Sequence, residues 1–155
     1  MTNVEVTLAQ IKSFFSMYAE MVAAGDDKLT INKLEMEGDV QIAHHHIKTG
    51  MMMSNRSFIV GYYTTEGANG EFTFCVSTVG NESLLEKYQS MIGKDVVGRL
   101  ENVVCFTPVD GKYTVKQCLI ADAGGSIPDM LKKKMLKKQS DAIQMLISKI
   151  KAVKA

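Results

Sequence analysis

The 155 residues contain no tryptophan, only two prolines, and only two arginines among eighteen basic side chains. Cysteine is scarce too. Cys75, Cys105 and Cys118 are an odd number, widely spaced and without a CxxC pair, which argues against a disulfide framework or a thiolate metal centre. Each lies in an apolar run, and each is expected to be a small buried hydrophobe in a reducing compartment. No apolar run approaches the ~18 residues of a membrane-spanning helix, and no basic-then-apolar leader opens the chain, so a cytoplasmic protein is expected. Also absent are the Gly-x-Ser-x-Gly elbow, the phosphate-binding loop and the dinucleotide fingerprint, which leaves catalysis little support. A formal net charge of +1 gives no field that would favour nucleic acid.

What is present is ordinary globular chemistry, 46% apolar and 23% charged, in a length suited to one core. Eleven methionines are the compositional oddity. Their flexible thioethers suit either a gap-filled core or a cavity that accepts irregular apolar shapes.

Along the chain, Val4-Glu5-Val6 alternates like a short strand. Thr7 and Gln10 then form a capping-box pattern. Leu8, Ile11, Phe14, Phe15, Tyr18, Met21 and Val22 recur at helical spacing up to Gly25, as one amphipathic helix or two short ones. From Lys28 to Ala123 the period changes to 2, with strands expected at 28–37, 40–48, 57–65, 71–79, 95–107 and 112–122. Gly38-Asp39, Gly67-Ala68-Asn69-Gly70 and Asp110-Gly111 are hairpin turns, which makes the sheet an antiparallel meander. Helical spacing returns between Gly80 and Lys94. After Pro128 nothing breaks a helix, and Leu131, Met135, Ala142, Leu146, Ile150 and Val153 form its apolar stripe. There is no linker, repeat or low-complexity segment, so residues 1–155 read as a single domain. A long helix following a meander is expected to lie across the concave face of the twisted sheet, and such packing tends to leave an apolar cavity.

Two segments resemble a known family. Met53-Ser54-Asn55-Arg56-Ser57-Phe58-Ile59-Val60 is similar to the strand opening of START (StAR-related lipid transfer) domains, where Arg-Asp-Phe-Val follows a small residue. Cys118 to Pro128, ending Asp122-Ala123-Gly124-Gly125-Ser126-Ile127-Pro128, resembles the START strand that ends in Asp and leads through Gly-Gly-Ser-Ile-Pro into the final helix. Arg56 and Asp122 are 66 positions apart. The likeness covers roughly residues 26–155; Ser57 replaces the acid beside the arginine, and the first helix and two strands of full-length START domains have no counterpart. The resemblance implies an α+β helix-grip fold in shortened form, a curved antiparallel sheet with the long C-terminal helix packed across its concave face. The glycines suit positive backbone angles at the corner, and Ser126 is expected to cap the helix.

In the run His44-His45-His46, strand alternation puts His44 and His46 on one face and His45 on the other. Two histidines could share a metal, but no cluster of further ligands stands near in sequence, and none is expected. By alignment with START relatives His45 faces inward with Gln41, Ala43 and Ile47. Arg56 is mainly architectural in those relatives. Alternation from it places Phe58, Val60 and Tyr62 on one face, with Phe72, Phe74 and Val76 as the stripe beside them. The expected ligand-binding set is His45, Phe58, Val60, Tyr62, Phe72 and Phe74, together with Met135 and Leu146 of the last helix. A filled core would produce the same stripes. Lys132, Lys133, Lys134, Lys137 and Lys138 crowd the start of that helix, and Lys133, Lys134, Lys137 and Lys138 are the expected contacts to an anionic membrane, each contributing about 1 kcal/mol.

These readings lead to a non-enzymatic carrier without cofactor, holding one sterol, phospholipid or fatty acyl ligand and touching membranes transiently. Exposed sheet edges would allow a homodimer. Two alternatives stay open: a cyclase or hydrolase on the same fold, for which only His45 and Tyr62 qualify as acid or base, and an unliganded protein-interaction module.

Overall fold

The computed structural model describes residues 2–50, 53–78, 80 and 82–154, without the side chains of residues 131, 134–136, 139 and 140. Strand β1 (Thr2–Val4) leads into helix α1 (Leu8–Ser16), which the capping box starts as the sequence suggests: the Thr7 hydroxyl accepts from the Gln10 amide at 3.1 Å, and the Gln10 side chain accepts from the Thr7 amide at 3.0 Å. Met17 breaks the helical run, so α2 (Tyr18–Ala23) is a separate turn and a half. The meander follows as β2 (Leu29–Glu37), β3 (Val40–Ile47), β4 (Arg56–Glu66) and β5 (Phe72–Ser77). Short helices α3 (Glu82–Lys87) and α4 (Gln89–Ile92) occupy the interval with helical spacing. Then come β6 (Val96–Val97), β7 (Arg99–Val109), β8 (Lys112–Asp122) and the long α5 (Asp129–Ala152).

The sheet runs β1-β8-β7-β5-β4-β3-β2, with antiparallel neighbours throughout this path. One pairing departs from the meander expected. The run beginning at residue 95 divides at Gly98, and its first part, β6, pairs in parallel with the opening of β4 (Arg56↔Val96, Ser57↔Val97). Gly98 allows the break because a β-carbon there would collide with the Phe58 ring and lie 2.8 Å from the Asp122 carbonyl oxygen. The two sheet edges are blunted. β1 is only three residues long, and β2 carries a register shift between Lys33 and Met36 beside its charged residues.

One face of the sheet is the core. Phe58, Val60, Phe72, Phe74, Val76, Val104, Phe106 and Val115 are buried there beneath Ile11, Phe14 and Phe15 of α1 and Ile147 and Ile150 of α5. Burying each of these large side chains favours folding by about 1.5–3 kcal/mol. α5 is anchored unevenly. Its last turns are buried and tied down, with Lys149 donating to the Met21 carbonyl at 2.9 Å and Gln10 donating to that of Val153 at 3.2 Å. Towards its start, Met130 is 70% exposed. The opposite face holds a smaller cluster of Ile42, Ile59, Leu84 and Ile92, covered by α3 and α4.

Some local expectations are corrected. Ser126 does not cap α5: Pro128 is the N-cap residue, no side chain caps it, and its carbonyl accepts the first helical bond from Lys132 at 3.1 Å. Of the cysteines, Cys75 is buried, Cys105 is partly so, and Cys118 is exposed, because the outer side of β8 carries no covering helix.

The two segments that resemble START domains meet at Arg56. Its side chain is 3% exposed and donates to the carbonyls of Ala123 (3.2 Å), Gly124 (3.3 Å) and Ser54. Gly124 and Gly125 turn the chain there with φ of 66° and 63°, and a β-carbon on Gly124 would meet the Val97 carbonyl oxygen at 2.7 Å. Arg56→Lys keeps the charge but loses the planar fork that reaches several carbonyls at once. We expect it to cost about 2–3 kcal/mol in urea unfolding. A loss below about 0.5 kcal/mol, the usual scatter of surface substitutions, would show that the fork is not required.

Candidate ligand-binding site

The antiparallel register of β3 against β4 sets the site. Gln41 lies opposite Tyr62, Ala43 opposite Val60, and His45 opposite Phe58. With side chains alternating, all six face the core, while His44 and His46 face the other side, as the sequence pattern requires. His45 reaches along its face to Tyr62, and ring Nε2 and the phenol share a hydrogen bond.

Both partners are held neutral. Burial, with a smaller contribution from the charge of His44, pushes His45 down to about 4. Burial also raises the Tyr62 phenol well above its ordinary value, assisted by Tyr18 and Glu20. Tyr18, packed edge-on to Tyr62 at 5.4 Å between ring centroids, is pushed up to about 12 by burial alone. The site therefore presents fixed, uncharged hydrogen-bonding groups within an aromatic wall.

Beside this pair opens a cleft of about 340 Å³, walled by Phe15 and Tyr18 from the helices and by Tyr62, Phe72 and Phe74 from the sheet. Lys12, Lys33, Asp39, Gln41 and Glu66 supply its polar margin, with Lys33 ion-paired to Glu20 and Lys12 to Glu66, both at 2.7 Å. Of the expected set, Tyr62, Phe72 and Phe74 border the cleft while themselves buried in the core cluster, and His45 stands behind Tyr62 as its hydrogen-bond partner. Phe58 and Val60 belong to the buried cluster, with Leu146 half-buried against it. The side chain of Met135 lies outside the described residues. Phe15 and Tyr18 were missed as wall residues, although their place on the apolar face of the first helix was the available signal.

The remaining candidates are placed as follows. Lys133, Lys137 and Lys138 are exposed on α5, with Lys138 3.5 Å from Asp26; the Lys134 side chain lies outside the described residues. Glu35, on β2, accepts from Lys87 and Tyr88, which hold its carboxyl below the usual range. Among the described residues no three of His, Cys, Asp and Glu gather to hold a metal, and no helix is long and apolar enough to cross a membrane.

No family model matches the sequence, and no curated protein matches it. Solved structures do. A STAR-related lipid transfer protein fragment from Xanthomonas axonopodis superposes with a TM-score of 0.70 at 16% identity, over 97% of this chain and 82% of that one. The fold is that of a START domain. The same architecture is found in human StAR-related lipid transfer protein 5, with a TM-score of 0.66 and 13% identity over 96% of this chain and 72% of the other. The human StarD13 lipid transfer and protein localization domain matches with 0.61 at 14% identity, over 86% and 66% of the respective chains. The START likeness anticipated from Arg56 and the glycine corner is thus carried by the whole architecture.

The electrostatics of His45 make stability depend on pH. Its value in the folded chain is depressed, so the unfolded chain binds the proton more readily. The stabilising contribution is complete above the ordinary value near 6.5 and is lost as the pH falls towards about 4. His44 is shifted in the same direction. We expect unfolding free energy to fall by roughly 3 kcal/mol across that window from His45. Denaturant titrations from pH 7 to 4 check this: His45→Gln should flatten the dependence, and an identical slope in the variant would remove His45 as its source.

Proposed function

We propose that this protein binds a lipid or lipid-like ligand, with its polar group at Tyr62 and its apolar body against Phe15, Tyr18, Phe72 and Phe74. The observation that carries the reading is the cleft itself, an aromatic wall on the inner face of a START fold with a buried neutral pair, His45 and Tyr62, at its edge. The three structures of the same fold bear lipid-transfer names, which supports a ligand of that class here.

Size narrows the choice. The cleft of about 340 Å³ stands at the lower end of the roughly 300–1,000 Å³ usual for small-molecule sites. That suits one acyl chain segment or a small ring system carrying a hydroxyl or carbonyl. Both chains of a phospholipid would require α1 or α5 to move away from the sheet. Proton-transfer catalysis fits less well, since a histidine pushed down to about 4 and a phenol raised by burial both sit far from neutral pH.

Native mass spectrometry of gently purified protein tests the reading, with a co-purifying apolar ligand as the expected result. Tyr62→Phe should keep the fold and weaken that ligand about tenfold, the effect of one lost hydrogen bond. Protein that emerges empty, and takes up neither sterol nor fatty acid in titration, would turn the assignment towards the interaction module.

Exchange with a membrane is assigned to the basic start of α5. Reversing Lys133, Lys137 and Lys138 to glutamate should abolish co-sedimentation with anionic vesicles, and raising salt should weaken wild type, since such contacts are screened over about 10 Å at 0.1 M. Equal binding by wild type and variant would reduce the lysines to a solvated face.

A further inference from the structure

The outer face of the sheet carries a polar cluster that ligand binding does not use. His44 is 3% exposed, and its Nε2 lies 2.9 Å from the Ser57 hydroxyl. Ser57, fully buried, donates to Asp95 Oδ2 at 2.7 Å. The same oxygen is 3.3 Å from His46 Nε2, and the two imidazole rings are 6.1 Å apart. The directions of these bonds follow from counting protons. A serine hydroxyl has one hydrogen, and an ionised carboxylate only accepts. Ser57 therefore gives its proton to Asp95 and accepts from His44, which fixes His44 with its hydrogen on Nε2. Nδ1 is left bare, a buried nitrogen without a hydrogen-bond partner among the described residues.

That bare nitrogen makes the cluster sensitive to acid. Protonating His44 places an N–H at Nδ1 where no acceptor waits, in a buried position. The charges that face it are few. His46 on the same strand opposes a second positive charge, and Asp95 favours it. Asn32 of β2, directly opposite, is uncharged. Glu35, also on β2, is engaged by Lys87 and Tyr88. From β4, Arg56 is turned to the carbonyls of Ala123 and Gly124. Burial and His46 outweigh Asp95, and His44 lies below its ordinary range.

The position of Asp95 gives the cluster mechanical reach. It immediately precedes β6, whose two anchoring bonds are Val96 N–H to the Asn55 carbonyl and Gly98 N–H to that of Ser57, both 3.0 Å. β6 in turn lies against the glycine corner, with the Val97 carbonyl and the Val96 side chain against Gly124. We propose that His44, Ser57, Asp95 and His46 form a proton-operated latch, which holds β6 on β4 at neutral pH and frees β6 and the root of α5 on acidification. The sign at His44 follows from linkage: the latched state binds its proton less well than the released state, so falling pH favours release through His44, against the pull that a charged His46 exerts on Asp95 at 3.3 Å. Opening of the ligand site would follow from release only if the binding reading above holds. The latch itself can be measured without any lipid.

Hydrogen exchange of the full chain, read at the amides of Val96 and Gly98 and corrected for intrinsic rates, tests it. Between pH 7 and 5 these amides should lose protection relative to the β7–β8 ladder, by up to about tenfold per pH unit below the ordinary histidine range, the limit for one proton bound on release. His44→Gln, which can still donate to Ser57 but does not titrate, should remove that dependence. Ser57→Ala should expose the same amides already at pH 7. In wild type, β6 protection that follows the β7–β8 ladder across the pH range overturns the latch, whether or not either variant folds. A His44→Gln protein that keeps the wild-type pH dependence overturns it as well.

Discussion

One buried guanidinium ties together two segments of the fold far apart in the sequence. Arg56 opens β4 and binds the carbonyls of the corner from which α5 departs, so the strand that presents Tyr62 and the turn that launches the covering helix share one anchor. Its neighbour Ser57 faces the other way and holds Asp95. Two consecutive residues thus fix, from opposite faces of the sheet, the two segments that converge at Gly124. A buried cation satisfied by carbonyl dipoles tolerates little displacement, because each lost contact leaves charge poorly solvated in the interior.

The helices that cover the concave face divide the work. α1 brings Phe14 and Phe15 onto the aromatic stripes of β5 and β7, with Phe15 stacked on Phe74 at 4.3 Å between centroids. α5 seals the other part with Ile147 and Ile150 and leaves its basic start to solvent. Most of the space between helices and sheet is filled: Val60, Phe74 and Phe106 are at most 1% exposed, and the cleft opens at the margin of this packing, bordered by Tyr62 and Phe74. Phenylalanine rings serve both purposes equally well, which is why the stripe at 72, 74 and 76 alone left the question open.

Most of the fold was legible because most of it is locally encoded. The hairpin glycines and the change of period from 3.6 to 2 placed the main strands, alternation set His45 on the face opposite His44 and His46, and the START resemblance made that face the inner one. What was hidden depends on contacts distant in sequence. The parallel pairing of β6 has no local pattern, since two residues cannot show a period. Cys118 sits in an apolar run whose exposure is decided by the absence of a covering element, which no property of that run records. Ser126 had the right chemistry for a cap but stands two residues before the N-cap position. In the cleft, the sheet residues were found by alternation; Phe15 and Tyr18 required knowing that α1 and α2 lie over β5 and β4.

The partners of Arg56 are main-chain oxygens, which every amino acid carries. The bond therefore constrains the identity of the arginine and the backbone angles of the glycines, and it leaves the side chain at 123 free. Substitutions around the corner need no compensating change at 56, so this contact would leave no trace of paired variation between its two ends. An architecture held in this way can drift through most of its side chains and still close at the same point. The same START fold, persisting at 13–16% identity, is what such an anchor permits.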